Sequence, residues 1–348
     1  MTGPIPVAIC DDSAVARGII GRILEAEPDI SVVLRAASGD ALLDGLAQAR
    51  PEVVVLDIEM PGLDGLAALP RVLAALPHAR VLMSSSLTTR GADATLRALR
   101  LGAADYIAKP SSLGGVDARA WAVALVGRVR ALAASRRPAL PATIPLRAPP
   151  SQPPRVIAIG SSTGGPQALL RVIGALGHDF PLPVLIVQHM PPAFTAMLAR
   201  HLDRLGGPAC AEATTGGVLR AGEVLLAPGD RHMLVEQAAN GLAIRLSDAP
   251  PEHFCRPAVD PLLRSLGEAC GAGTLAVMLT GMGCDGLAGA GAVIAAGGGV
   301  IAQDEASSVV WGMPGAVAKA GLCHAVLPLD AIAAHLRALV PAAARRSA

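Results

Sequence analysis

The chain has 348 residues, a formal net charge of +1, 52% hydrophobic residues and only 2% aromatic ones. That balance argues against a nucleic-acid partner, which would leave a basic patch, and so few rings leave no stacking platform for single strands. At about 100–200 residues per domain the length suits two cores, and the wealth of Gly and Ala favours close helix–sheet packing.

The first part alternates strand-like runs with amphipathic helical ones. Strands are expected at Val7–Cys10, Ile30–Arg35, Val53–Leu56, Arg80–Met83 and Asp105–Ile107, each followed by a helix, the last over Val116–Ala134. Such alternation predicts a parallel sheet with helices on both faces. Met1–Pro6 leads directly into the first strand without the apolar stretch of a secretion signal. From Ser135 to Pro154 the periodicity stops, and SRRPALPATIPLRAPPSQPP reads as an extended, semi-rigid linker. The expected division is therefore residues 1–134, a linker over 135–154, and residues 155–348. No basic helix–turn–helix pattern follows the linker, which argues against a DNA-binding output.

A second alternating series begins at Arg155. Val156–Ile159 and Val184–Gln188 read as strands around a helix that starts near Gly165. Short strands at Val224–Ala227, Met233–Glu236 and Ala243–Leu246 suggest a small antiparallel excursion, and Thr274–Leu279 and Val300–Gln303 return to buried-strand composition. The apolar stretch Gly271–Ala302 contains Asp285 and Gly297-Gly298-Gly299, so it does not read as the roughly 20-residue apolar helix that spans a bilayer. The six cysteines are scattered without metal-ligand spacing and read as reduced thiols. A cytoplasmic α/β protein with no membrane segment of its own is expected.

Ligands of open parallel sheets bind beyond the carboxyl ends of the strands, where strand order reverses. Asp11 and Asp12 end the first strand, Asp57 ends the third, Ser85 the fourth, and Lys109 follows the fifth. With order 2-1-3-4-5 the three carboxylates converge, and a hard divalent cation, Mg²⁺, is the natural relief of their repulsion. Each Asp alone would serve equally well as a helix cap.

The CDDS, VVVLDIEMPGLDG, SSS and DYIAKPS segments resemble the receiver domain of two-component response regulators over residues 5–125. The resemblance implies a flavodoxin-like domain in which Asp57 accepts a phosphoryl group from a sensor histidine kinase. It also implies that Asp12 and Asp57 ligate Mg²⁺, with Asp11 helping through water and Glu59 through its carbonyl. Ser85 and Lys109 would then contact the phosphoryl oxygens. Tyr106 is either a switch side chain or a packing residue.

In the second part, Gly160-Ser161-Ser162-Thr163-Gly164-Gly165-Pro166 makes a tight strand-to-helix turn whose free N–H groups form an anion-binding corner. A dinucleotide site there would need an acidic residue at the end of the next strand. That strand, VLIVQHM, offers Gln188 and His189 instead. A histidine suits a general base. Strand Thr274–Leu279 ends in a glycine-rich loop carrying Asp285, so Ser162, His189 and Asp285 all fall just past apolar strands. Their chain order differs from that of α/β-hydrolases, but a triad is defined by geometry. Read singly, Ser162 is an ordinary helix cap, His189 a satisfied core histidine and Asp285 a turn residue. Cys284 as an alternative nucleophile has no base adjacent in sequence.

IGSSTGGPQAL, VQHMPPAFT, LLAPGDRHM, RPAVDPLL, LTGMGCDG and SSVVWGMPGAV resemble the catalytic domain of chemotaxis protein-glutamate methylesterases over residues 154–340. That family implies a doubly wound, mostly parallel α/β hydrolytic domain with Ser162 as nucleophile, His189 as base and then acid, and Asp285 as its orienter. Met282 would supply an oxyanion N–H, and Thr163 would support the site. The implied activity is demethylation of glutamate methyl esters, and deamidation of glutamine, on cytoplasmic chemoreceptor helices. The family usually has asparagine where Cys284 stands. His232 and Arg256 lie in matched segments as candidate site-lining residues. The unphosphorylated first domain is expected to restrain the hydrolase and phosphorylation of Asp57 to release it; a non-catalytic adaptor is the rival.

Overall fold

Aliphatic runs too short for helices and bounded by polar residues become buried parallel strands in both halves of the chain. The computed structural model describes residues 3–110, 116–134 and 144–340. The chain divides into two units, Met1–Pro138 and Ala139–Ala348.

The first unit runs β1 (Ile5–Cys10), α1 (Ala14–Glu25), β2 (Ile30–Ala36), α2 (Gly39–Ala49), β3 (Val53–Asp57), α3 (Gly65–Ala75), β4 (Arg80–Ser85), α4 (Thr89–Arg100), β5 (Asp105–Ala108) and α5 (Val116–Ala134). The strands form one parallel sheet in the order β2-β1-β3-β4-β5, as the sequence suggests. Every residue of β3 is buried, as a central strand covered by helices on both faces must be. The oxygens of Ser13, Ser38, Asp64 and Thr88 accept N–H groups of the first turns of α1 to α4, which stabilises each helix start by about 1 kcal/mol. β1 pairs with β3 up to Cys10 and Leu56, so Asp11, Asp12 and Asp57 gather at the carboxyl ends of these two neighbouring strands.

The second unit continues with β6 (Val156–Ser161), α6 (Gly165–Leu176), β7 (Val184–Gln188), α7 (Pro192–Asp203), β8 (Ala209–Glu212), β9 (Glu223–Leu226), β10 (His232–Ala238), β11 (Gly241–Ser247), α8 (Val259–Cys270), β12 (Thr274–Met278), α9 (Leu287–Ala295), β13 (Gly299–Gln303), α10 (Met313–Lys319), β14 (Ala325–Leu327) and α11 (Leu329–Leu339). Seven of these strands make a parallel sheet in the order β14-β13-β12-β6-β7-β9-β8. The antiparallel excursion is the separate β10–β11 hairpin, whereas β9 belongs to the main sheet. Strand order reverses at β6, which lies between β12 and β7. That reversal places a ligand crevice at the carboxyl ends of these three strands.

Residues 144–154 have no regular structure yet rest against the second unit. Ile144 packs on its core, Pro145 lies beside Gly321, and the Arg147 N–H donates to the Cys323 carbonyl at 2.8 Å. The remainder of the expected linker, residues 135–143, lies outside the described residues. No described helix is long and apolar enough to cross a membrane.

Candidate active site

Ser162 is the first residue beyond β6. Its N–H donates to the Thr280 carbonyl at 3.0 Å, which holds it against the loop after β12. The turn it begins needs glycine twice. Gly164 adopts φ +75°, and a Cβ on Gly165 would come within 2.0 Å of Gln188 Oε1.

That glutamine ends β7 and is buried. Its Oε1 accepts from Ser161 Oγ at 2.7 Å, and its Nε2 donates to the carbonyls of Ser162 (3.0 Å) and His189 (3.3 Å). Gln188 thereby ties the backbone of the serine to that of the histidine. The sequence shows it only as a polar residue closing an apolar strand. Thr280 and Gln303 brace the third side. The Thr280 N–H donates to Gln303 Oε1 at 2.8 Å, and Thr280 Oγ1 donates to the Thr163 carbonyl at 2.9 Å.

Asp285 is 2% exposed and fully engaged. Its Oδ2 meets His189 Nε2 at 2.7 Å and accepts the Val259 N–H at 2.7 Å, while Oδ1 accepts the Asp260 N–H at 3.0 Å. The carboxylate thus caps α8 and orients the imidazole at once, and the helix start favours its charge. Nε2 is engaged by Asp285, and Nδ1 is the ring nitrogen with no hydrogen-bond partner among the described residues. Burial works against protonation of His189, but the bond to Asp285 and the neighbouring Cys255 sulfur outweigh it, and the imidazole is pushed up to about 9. Burial alone would raise Asp285. Its bonds to His189 and to two backbone N–H groups hold it below the usual carboxylate range.

The sheet brings Ser162, His189 and Asp285 to the ends of three adjacent strands, β6, β7 and β12. Among the described residues Ser162 Oγ has no hydrogen-bond partner, so the series expected from sequence is closed between imidazole and carboxylate and open at the hydroxyl. Such contacts often tighten only when substrate binds. The N–H groups of Met282 and Thr163 likewise find no acceptor among the described residues, which leaves both free to face a developing oxyanion. Thr163 is buried and Met282 exposed.

His232 and Arg256 are spent on structure instead. His232 Nδ1 accepts the Ala258 N–H at 3.1 Å and its Nε2 donates to the Pro250 carbonyl. Arg256 pairs with Asp230 at 2.6 Å and donates to the carbonyls of Asp248 and Ala249. Cys255, beside the imidazole, had no signal in the sequence, because 66 residues separate it from His189.

In the first unit, carboxylate oxygens of Asp11, Asp12 and Asp57 lie within 4.8 Å of one another. Lys109 Nζ sits 2.8 Å from both Asp11 Oδ2 and Asp57 Oδ2. One ammonium against three carboxylates leaves an all-oxygen, negatively charged set, which fits a hard divalent cation. Burial pushes Asp57 up to about 6, with Lys109 opposing and Asp11 adding to the rise. The Ser85 hydroxyl donates to the Gly91 carbonyl at 3.1 Å, towards α4, and the Glu59 side chain is exposed. Tyr106 is buried, and that burial pushes its phenol far above its ordinary range. A second cluster, His253, Asp260 and Asp285, is similarly close, but backbone N–H groups already occupy its carboxylates.

Comparison with known proteins follows the same division. Residues 157–336 match the family model described as CheB methylesterase, and residues 7–119 match the response regulator receiver domain. A relative in Paramagnetospirillum magneticum, named protein-glutamate methylesterase/protein-glutamine glutaminase 1, is 48% identical, with 99% of this chain and 98% of that one covered. This chain belongs to the CheB methylesterase family. An Azospirillum brasilense relative named protein-glutamate methylesterase/protein-glutamine glutaminase is 47% identical over 98% of this chain and 94% of its own length. The crystal structure of the Thermotoga maritima CheB methylesterase catalytic domain is 41% identical, with a TM-score of 0.53 over 54% of this chain and 99% of that one. The methylesterase match contains Ser162, His189 and Asp285, and the receiver match contains Asp11, Asp12, Asp57 and Lys109.

Proposed function

We propose that the chain is a phosphorylation-activated serine hydrolase that demethylates glutamate methyl esters, and deamidates glutamines, on the cytoplasmic helices of chemoreceptors. The observation that carries this reading is the 2.7 Å pairing of His189 Nε2 with buried Asp285 beside the strand that delivers Ser162. Because Asp285 fixes one ring nitrogen, the other takes the proton from Ser162 Oγ as it attacks the ester carbonyl. The N–H groups of Met282 and Thr163 receive the oxyanion, each such donor contributing about 10²–10³ in rate. His189 returns the proton to the departing methanol, then activates the water that releases a glutamate carboxylate. An amide in place of the ester loses ammonia by the same steps.

In the receiver domain, Asp57 is the phosphoacceptor, supplied by a sensor histidine kinase. Mg²⁺ would be held by Asp11, Asp12, Asp57 and the Glu59 carbonyl, and would neutralise charge on the phosphoryl oxygens. Lys109 already bridges Asp11 and Asp57, so it stands ready to contact the phosphorylated side chain, and the Ser85 hydroxyl must turn from Gly91 to do the same. With a chemoreceptor's cytoplasmic helices as substrate, the enzyme would work in the cytoplasm.

A serine-directed fluorophosphonate tests the reading. The expected result is one adduct, located at Ser162 by peptide mass spectrometry, lost in Ser162→Ala and slowed in His189→Gln. A protein that takes no adduct at Ser162 is the non-catalytic adaptor instead.

A further inference from the structure

Beside the Ser162 cleft lies a second series of nucleophile, imidazole and carboxylate that the hydrolysis does not use. Cys284 is the one exposed thiol of the six. Its Sγ lies 4.0 Å from His253 Nδ1, and His253 Nε2 lies 2.9 Å from Asp260 Oδ2. Asp260 is 1% exposed, and its other oxygen accepts the Gly289 N–H at 2.6 Å. The carboxylate is therefore fixed, keeps the proton on Nε2, and leaves the Nδ1 lone pair directed at the thiol.

The imidazole is also held from above. His253 and Phe254 adopt left-handed backbone at φ +51° and +60°, a conformation that costs free energy in residues with side chains. The turn persists because Glu252 and Cys255 exchange backbone hydrogen bonds and Arg264 clamps the Glu252 carboxylate with two. The ionisable groups around His253 are thus Cys284 and Asp260 in contact, with Asp285 and the Glu252–Arg264 pair behind them. From sequence alone Cys284 had no base at hand. The fold supplies one from 31 residues away.

We propose that Cys284 is a modification site, a thiol that His253 and Asp260 activate for attack on peroxides. The thiol proton passes to His253 Nδ1 and the sulfur electron pair attacks one peroxide oxygen. An S–O bond forms as the O–O bond breaks, and the leaving hydroxide takes the proton from His253 and departs as water. Sulfur is oxidised to a sulfenic acid and the peroxide is reduced. This site is distinct from Ser162, and its chemistry does not depend on the hydrolase reading.

The full chain, treated with hydrogen peroxide at pH 7 in the presence of dimedone, reads the site by peptide mass spectrometry. The expected result is that Cys284 carries most of the adduct and forms it at least tenfold faster than free cysteine. His253→Gln should cut the Cys284 rate about tenfold and leave Cys255 and Cys270 unchanged. Unfolding of that variant would expose the buried thiols Cys10, Cys210 and Cys323 to labelling, and the wild-type rate against free cysteine then decides alone. A wild-type Cys284 that reacts no faster than free cysteine, or equally fast with and without His253 in a folded chain, overturns the proposal.

Discussion

In the proposed mechanism the imidazole of His189 must be neutral to take a proton from Ser162, yet its surroundings push it up to about 9. Hydrolysis should therefore climb as pH rises towards 9. Cys255→Ala removes one of the groups that raise the imidazole. The rising limb of kcat/KM should then move to lower pH by about one unit, which a pH–rate profile measures directly. The same shift has a stability consequence of fixed sign. A histidine raised in the folded state contributes stability that is fully present below its unfolded value of about 6.5 and is lost as pH rises through about 9. The contribution is on the order of 3 kcal/mol, and in urea melts the gap between wild type and Asp285→Asn should narrow as pH rises through about 9, leaving the share due to the helix cap. At this scale the three proposed catalytic residues were legible because each is a polar residue just past an apolar strand. Cys255, His253 and Asp260 were not, because their partners lie on other elements and meet them only on folding.

The turn between β6 and α6 is the element on which the serine depends. Gly165→Ala places a Cβ against Gln188, whose amide holds Ser161, Ser162 and His189 together. That change should cost more than about 2 kcal/mol, as forced rearrangement in a packed site does, and should lower hydrolysis at least tenfold. Gly291 is the counterexample, a helix-interior glycine with open space where a Cβ would go. Gly291→Ala should stabilise the chain by roughly 0.5–1 kcal/mol in urea denaturation and leave activity unchanged. The main strands were readable because they are continuous aliphatic runs with complete burial. β8 and β14 escaped notice, since ACAE and AVL are only four and three residues long and partly exposed. The start of α8 was equally hidden, its cap being the Asp285 carboxylate 26 residues further on.

Across the whole molecule, one chain carries two sites of opposite electrostatic character. The hydrolase carboxylate is stabilised as an anion by its histidine and backbone partners, whereas burial raises Asp57 to about 6. The sign of the second effect is the reverse of the usual carboxylate. Ionising Asp57 costs stability as pH rises from about 4 to 6, and the cost, on the order of 3 kcal/mol, persists above that range. Calorimetry without Mg²⁺ should therefore show Asp57→Asn melting higher than wild type at pH 7 and the difference vanishing near pH 4. Added Mg²⁺ should raise the wild-type transition and move the variant much less. The two-part organisation was legible because periodicity stops at the proline-rich segment. Its docking onto the second unit through Ile144 and Arg147 was not, since an isolated isoleucine in such a run carries no pattern.

Methanol release from a methylated chemoreceptor fragment, compared between wild type and Ser162→Ala, bears most directly on the hydrolase itself. The account predicts a loss of about 10⁴-fold or more with the fold intact. A variant that keeps its turnover within tenfold of wild type would show that the hydroxyl at 162 is not the nucleophile.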